Sequence, residues 1–168
     1  MLLGLAIGDP TGIGPEVTLK ALAAEAANDD VRYRLIGDAL MLQRLNARLG
    51  LNLPLAEVDE SSSRFLITNP LRDPLPENLS PGAPAAANAA LAWLKHAGEL
   101  CLRGELDAMV TAPVNKEAIV RAGNSFVGQT EFLTELAGAS RTVMMLLGHD
   151  ERGRWLRKVG ISASSAGA

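Results

Sequence analysis

Apolar positions come in short blocks separated by glycine, proline and polar residues, and two periods alternate along the chain. Leu2 to Ile7 is an unbroken apolar run ended by Gly8, Asp9 and Pro10, the pattern of a strand buried on both faces. From Pro15 onward Val17, Leu19, Leu22 and Ala23 keep roughly helical spacing, and Pro15 suits a first turn because its missing N–H would have had no partner there. The unit then repeats. Val31 to Ile36 predicts a second strand, Asp38 an N-cap, and Leu42, Leu45 and Leu49 one apolar helix face with Gly50 placed to end it. Prolines at 54, 70, 74, 76, 81 and 84 make the next stretch mostly connection, with Arg64 to Thr68 as one short strand at a sheet edge.

Ala85 to Leu102 predicts the longest helix, with Leu91, Leu94, Ala97 and Cys101 as its apolar stripe. Leu106 to Val110 reads as a strand broken by Pro113, Lys116 to Ala122 as a short helix ended by Gly123, and Thr142 to Leu147 as the last clear strand. Strands separated by helices call for right-handed crossovers and a mostly parallel sheet with helices on both faces, the α/β class. Ligands of such sheets bind beyond the carboxyl ends of the strands. The turns of interest are therefore Gly8 to Gly14, Thr111 to Lys116, and the segment leading to Thr130.

Composition narrows the partners. The 168 residues are 48% apolar and 21% charged, enough to build one soluble globular core without a disulfide or structural metal. The net charge is −3, and no run of Lys and Arg could neutralise a row of phosphates, which argues against nucleic acid. Arg152, Arg154, Arg157 and Lys158 form the only local basic excess and read as a solvated face. Cys101 is alone and lies in an apolar stretch, so a buried, inert thiol and a reducing compartment are expected. Asp9 and Pro10 interrupt the first apolar run too early for a secretory signal or a membrane span, which gives a cytoplasmic reading with no membrane partner.

Three segments can carry chemistry. In Gly8-Asp9-Pro10-Thr11-Gly12-Ile13-Gly14-Pro15-Glu16, glycines allow close backbone approach and the helix behind them offers free N–H donors, so Gly8, Asp9, Gly12 and Gly14 form a candidate anion-binding loop. The spacing is neither Gly-x-Gly-x-x-Gly nor a Walker motif, and a plain tight turn satisfies it equally. Lys116 ends Thr111-Ala112-Pro113-Val114-Asn115-Lys116 and opens a helix, where a cation opposes the macrodipole; it is either a binding or proton-transfer group or a solvated lysine. In Gly128-Gln129-Thr130-Glu131, Thr130 suits an N-cap, and Gln129 can donate to or accept from a substrate hydroxyl or phosphate. His96 and His149 are far apart and lack carboxylates at ligand spacing, so no metal site is expected from this chain; no Gly-x-Ser-x-Gly elbow is present either.

Taken together, G-D-P-T-G-I-G-P-E at 8–16, T-A-P-V-N-K at 111–116, G-Q-T-E-F at 128–132 and V-M-M-L at 143–146 resemble the 4-hydroxythreonine-4-phosphate dehydrogenase family in order and spacing. The resemblance covers about residues 3–157. It implies the two-domain α/β/α fold of isocitrate and isopropylmalate dehydrogenases, and NAD-dependent oxidation of a secondary alcohol followed by loss of carbon dioxide, in pyridoxal phosphate biosynthesis. It also implies a divalent metal (zinc, magnesium or cobalt), a small phosphorylated substrate and a homodimer. Lys116 would lie near the substrate, and Gln129 and Thr130 would contact it. The family usually has histidine at the position of Gln129, and glutamine cannot carry a proton or a positive charge near neutral pH.

Family members are roughly twice this long, and their metal-binding histidines fall after the region that matches. Residues 1–157 are thus expected to be the N-terminal part of a two-domain dehydrogenase and 158–168 a non-matching tail. That is the pattern of a truncated or frame-shifted chain, and the expectation is negligible turnover. The alternatives are a dehydrogenase acting on another phosphorylated hydroxy acid or diol, and a non-catalytic fragment that binds a phosphorylated ligand.

Overall fold

The computed structural model describes residues 1–25, 30–57, 63–149 and 155–162. The chain divides into two compact units, Met1–Phe126 and Val127–Ala168. In the first, the elements run β1 (Leu2–Ala6), α1 (Gly14–Glu25), β2 (Arg32–Ile36), α2 (Ala39–Arg48), β3 (Leu55–Glu57), β4 (Phe65–Thr68), α3 (Pro84–Leu102), β5 (Ala108–Thr111) and α4 (Lys116–Arg121). The second holds α5 (Gln129–Leu136), β6 (Thr142–His149) and β7 (Trp155–Ser162). Among the described residues no helix is long and apolar enough to cross a membrane.

The five strands of the first unit form one sheet in the order β3-β4-β2-β1-β5, and every neighbouring pair is parallel. Register sets Leu5, Leu35 and Ile67 side by side on one face, all buried, while Ala6 and Ile36, one residue on, are buried on the other. Burial on both faces explains why β1 and the end of β2 read as continuous apolar runs. Leu19 and Leu22 of α1 and Leu42 and Leu45 of α2 close the same core, and the two helices touch each other.

Helix α3 packs against β1, β2 and β5. Its buried line runs through Ala89, Trp93, Ala97 and Leu100, whereas Leu91 and Cys101 of the expected stripe are only half-buried. The physical reason is the alanines. They let the helix come close to the sheet, and the one large ring, fully buried Trp93, fills the remaining space. Its Nε1 donates to Asn69 Oδ1 at 3.0 Å, so the indole is buried without an orphaned N–H. Burial also pushes the Cys101 thiol up, away from the reactive thiolate.

The strand at Arg64 to Thr68 exists as β4, but it is not at the edge. It lies between β2 and β3, and the edge is the three-residue β3, too short to show alternation in the sequence. Tyr33 of β2 stacks on Phe65 of β4, ring centroids 5.8 Å apart, and the Arg64 guanidinium lies over both rings, which fixes this pairing.

In the second unit, Thr130 is not the N-cap of α5. Gly128 takes that position in extended backbone, and Thr130 is the second helical residue, where its side chain is past the point of capping. Its carbonyl instead accepts from Thr134 Oγ1 at 2.7 Å, and Thr134 also bonds the Thr142 hydroxyl, tying α5 to the start of β6. His149, expected on a polar turn, is the last residue of β6. The strand after it, β7, pairs antiparallel with β6 from Thr142↔Ser162 to His149↔Trp155. Cross-strand partners stabilise β7 although its own pattern shows no clean alternation. Arg152, Arg154 and residues 163–168 of the tail lie outside the described residues.

Candidate functional site

The crossovers define where a ligand can enter. From β1 the chain moves through α1 to β2 on one side; from β4 it returns through α3 to β5 on the other side of β1. The loops after β1 and β5 thus lie side by side at the carboxyl ends of neighbouring strands, where ligands of such sheets bind.

These two loops are built against each other. Ala112 N donates to Ala6 O at 2.9 Å, and Asp9 N donates to Pro113 O at 2.9 Å. Gly8 is left-handed, with φ +74, and a Cβ there would run into the Pro113 carbonyl. A Cβ on Gly14 would lie 2.5 Å from Ile7 O. Gly12 differs, since its nearest neighbour would be 3.5 Å away. Of the candidate loop glycines, Gly8 and Gly14 serve close backbone approach; Gly12 has room for a side chain.

Asp9 organises the loop from inside. It is 6% exposed, and its Oδ1 accepts from Thr11 N at 2.8 Å and Thr11 Oγ1 at 2.7 Å, while its carbonyl accepts from Gly12 N at 3.0 Å. The loop thus satisfies its Thr11 and Gly12 donors internally, and the facing loop takes Asp9 N. What it leaves open is the head of α1, where the N–H groups of Ile13, Gly14 and Glu16 have no described acceptor. Those amides and the helix dipole suit a phosphate or carboxylate. The Glu16 carboxylate beside them is held below its usual range by its hydrogen bond and ion pair with Lys20 at 2.6 Å.

On the facing loop, Asn115 caps α4 by accepting from Ala118 N at 3.0 Å. This fixes Lys116 as the first helical residue, exposed, with its ammonium in no ion pair with a described residue. The cap explains the Asn-Lys order, which the motif alone did not. Gln129 and Thr130 belong to the second unit, half-buried in the first turn of α5.

Sequence reasoning missed the depth of Asp38. Beyond capping α2 through Met41 N at 2.9 Å, its second oxygen accepts from Leu75 N at 2.9 Å and pins the proline-rich connection onto the helix. A contact 37 residues away leaves no local signal.

For a metal, the fit fails in what is described: no group of three or more His, Cys, Asp or Glu is gathered among the described residues. For the phosphate portion of a dinucleotide or substrate, the open amides of α1 are a fitting donor set.

A five-stranded parallel sheet whose strands are joined by helical crossovers is an α/β protein. The family model described as pyridoxal phosphate biosynthetic protein PdxA matches residues 29–160. The chain belongs to that family.

Its relatives are named as dehydrogenases. The 4-hydroxythreonine-4-phosphate dehydrogenase of Geobacter metallireducens is 37% identical over 151 residues, covering 86% of this chain and 44% of the relative. A protein of Oceanobacillus iheyensis, provisionally named a D-threonate 4-phosphate dehydrogenase, is 34% identical over 152 residues, 86% of this chain and 46% of the relative. The crystal structure of a 4-hydroxythreonine-4-phosphate dehydrogenase from Burkholderia phymatum superposes with a TM-score of 0.76 at 32% identity, covering 94% of this chain and 48% of that one. The chain spans about half the length of the curated relatives it matches.

Proposed function

We propose that this chain supplies the N-terminal part of an NAD-dependent, metal-assisted dehydrogenase that oxidises 4-hydroxythreonine 4-phosphate. In that reaction the alcohol carbon gives up a hydride, its hydroxyl a proton, and the resulting keto acid loses carbon dioxide. NAD supplies the hydride acceptor when bound. The observation that carries the reading is the pair of loops after β1 and β5, hydrogen-bonded to each other, with the open amides at the head of α1 and Lys116 at the head of α4, in a chain of this family.

Within this chain, the amides of Ile13, Gly14 and Glu16 hold an anionic group, and the Lys116 ammonium holds the substrate's negative charge. Gln129 and Thr130 hydrogen-bond the substrate. As a neutral amide, Gln129 orients a hydroxyl or phosphate without moving a proton. No step is assigned to a metal here, because the described residues gather no ligand set for one. The ligands would come from outside this chain, and the 168 residues alone turn over negligibly. The reading extends to a cytoplasmic homodimer with no nucleic-acid or membrane partner.

The test is an NADH absorbance assay with divalent metal present and the full-length Geobacter relative as control. Activity in the control and none above background in this chain supports the reading; comparable turnover in both sinks it. Gln129 and the Oceanobacillus relative favour a second reading, a different phosphorylated hydroxy acid. Calorimetry with 4-hydroxythreonine 4-phosphate and D-threonate 4-phosphate, each with and without metal, separates the two. Weak binding that ignores the metal would mark a phosphate-ligand binding module.

A further inference from the structure

Among the described residues two carboxylates are almost fully buried, Asp38 at 2% exposed and Asp9 at 6%. Such a group is stable inside a fold when donors or a cation satisfy it. Asp38 meets that condition with both oxygens, one taking Met41 N and the other Leu75 N. Asp9 meets it with one. Both Thr11 donors fall on its Oδ1, at 2.8 and 2.7 Å, and no described donor reaches its Oδ2. Nor does any Lys, Arg or His among the described residues pair with it. Oδ2 is not among the atoms sealed from solvent, so the idle oxygen opens at the surface of the loop.

The loop holds that oxygen in place. Asp9 N donates to Pro113 O and Gly8 packs against the same carbonyl, which fixes the backbone, while the two Thr11 bonds fix the side chain. Gly12, which has room for a side chain, puts none over the carboxyl group; a Cβ there would lie 3.8 Å from Asp9 Cγ. The same closeness sets the carboxyl group just before the open amides of Ile13, Gly14 and Glu16. A negative oxygen and a set of N–H donors thus lie side by side at the carboxyl end of β1. A ligand that is only anionic meets repulsion from Asp9, whereas one with an ammonium near its acidic group is held at both.

We propose that Asp9 Oδ2 accepts a hydrogen bond from a ligand's ammonium group while the α1 amides hold its acidic group. Asp9 is then the residue that selects an amino-acid phosphate over a hydroxy-acid phosphate. The inference rests on the proposed function for the acidic group at α1, and it separates the two substrates which that reading leaves open.

The experiment is calorimetric titration of the chain, with a chelator present to exclude metal. The probes are 4-hydroxythreonine 4-phosphate, D-threonate 4-phosphate, which carries a hydroxyl in place of the ammonium, and inorganic phosphate. Each is repeated on Asp9→Asn, whose amide oxygen keeps the Thr11 bonds while an NH₂ replaces the idle oxygen, with a urea midpoint to confirm folding. The unsubstituted chain should bind the ammonium ligand at least about tenfold more tightly than the hydroxy acid. In Asp9→Asn that preference should fall below about threefold, and inorganic phosphate should bind more tightly, opposite in sign to the uniform loss that a structural defect would give. Equal binding of the two ligands by the unsubstituted chain overturns the inference even where Asp9→Asn does not fold, and so does an undiminished preference in folded Asp9→Asn. In both cases the anion site at α1 stands, whereas no binding of any probe up to about 10 mM overturns it together with the inference.

Discussion

Replacing Asp38 by alanine removes two acceptors from one nearly buried carboxylate, 2% exposed. The first consequence is loss of the α2 cap to Met41 N, which typically costs about 1 kcal/mol. The second is an orphaned, part-buried Leu75 N–H, which costs about 1–3 kcal/mol. Together they predict about 2–4 kcal/mol, or a fall in Tm of about 5–15 °C for a chain of this size. Asp38→Asn separates the two contributions. Its amide oxygen can still cap α2, but its NH₂ then meets the Leu75 N–H donor to donor. The variant should therefore cost about 1–3 kcal/mol, with faster hydrogen exchange confined to the 74–81 connection. Urea unfolding followed by circular dichroism gives the stability, and exchange at the Leu75 amide gives the location. A loss below about 0.5 kcal/mol for Asp38→Ala would refute the reasoning, as would unchanged Leu75 exchange in Asp38→Asn.

Gly8→Ala should destabilise by at least about 2 kcal/mol, because φ +74 and the Pro113 carbonyl both exclude a Cβ, whereas Gly12→Ala should stay within about 1 kcal/mol; equal urea midpoints for the two would sink this. Burial lowers the His96 pKa from its ordinary 6.5, only partly offset by Glu99. Its stabilising contribution is therefore complete above pH 6.5 and is lost as pH falls to the lower folded value, so His96→Gln should flatten the stability profile between that value and pH 6.5. A slope identical to that of the unsubstituted chain would contradict it. Trp93→Phe should cost about 1–3 kcal/mol, since it opens space in the core while Asn69 Oδ1 keeps only its bond from Leu71 N; a midpoint shift under about 0.5 kcal/mol would count against it.

Local signals carried most of the fold. The β1 run, the Asp38 cap, the α3 alanines and the Asn-Gly-Pro punctuation are each written within a few residues, because caps, turns and periodicity act over one or two helical turns. What was not legible depended on partners distant in sequence. β4 reads as an edge strand until β3 is known to pair outside it. The buried line on α3 shifts to Trp93 because Asn69 waits for its N–H. Thr130 has the chemistry of a cap, yet Gly128 is where the helix begins. In the site the same limit applies: the glycines of the first loop were visible, but which of them meets Pro113 depends on β5 lying next to β1.

The first loop also shows why a glycine-rich turn and an anion site are not the same thing. Its concave interior is already filled by a carboxylate, since Asp9 accepts from Thr11 twice and its carbonyl takes Gly12 N. An incoming phosphate or carboxylate meets that negative charge and has only the head of α1 to bind. A helix dipole alone contributes about 0.3–1 kcal/mol at an exposed site, too little to overcome like-charge repulsion and fix an orientation. On the neighbouring loop, Asn115 caps α4 and makes Lys116 its first residue, with Glu117 next to it as the anion that a first turn favours. On the proposed function, charge for the ligand would come from Lys116 of α4 and shape from the turn after β1, whose own aspartate already holds both Thr11 donors.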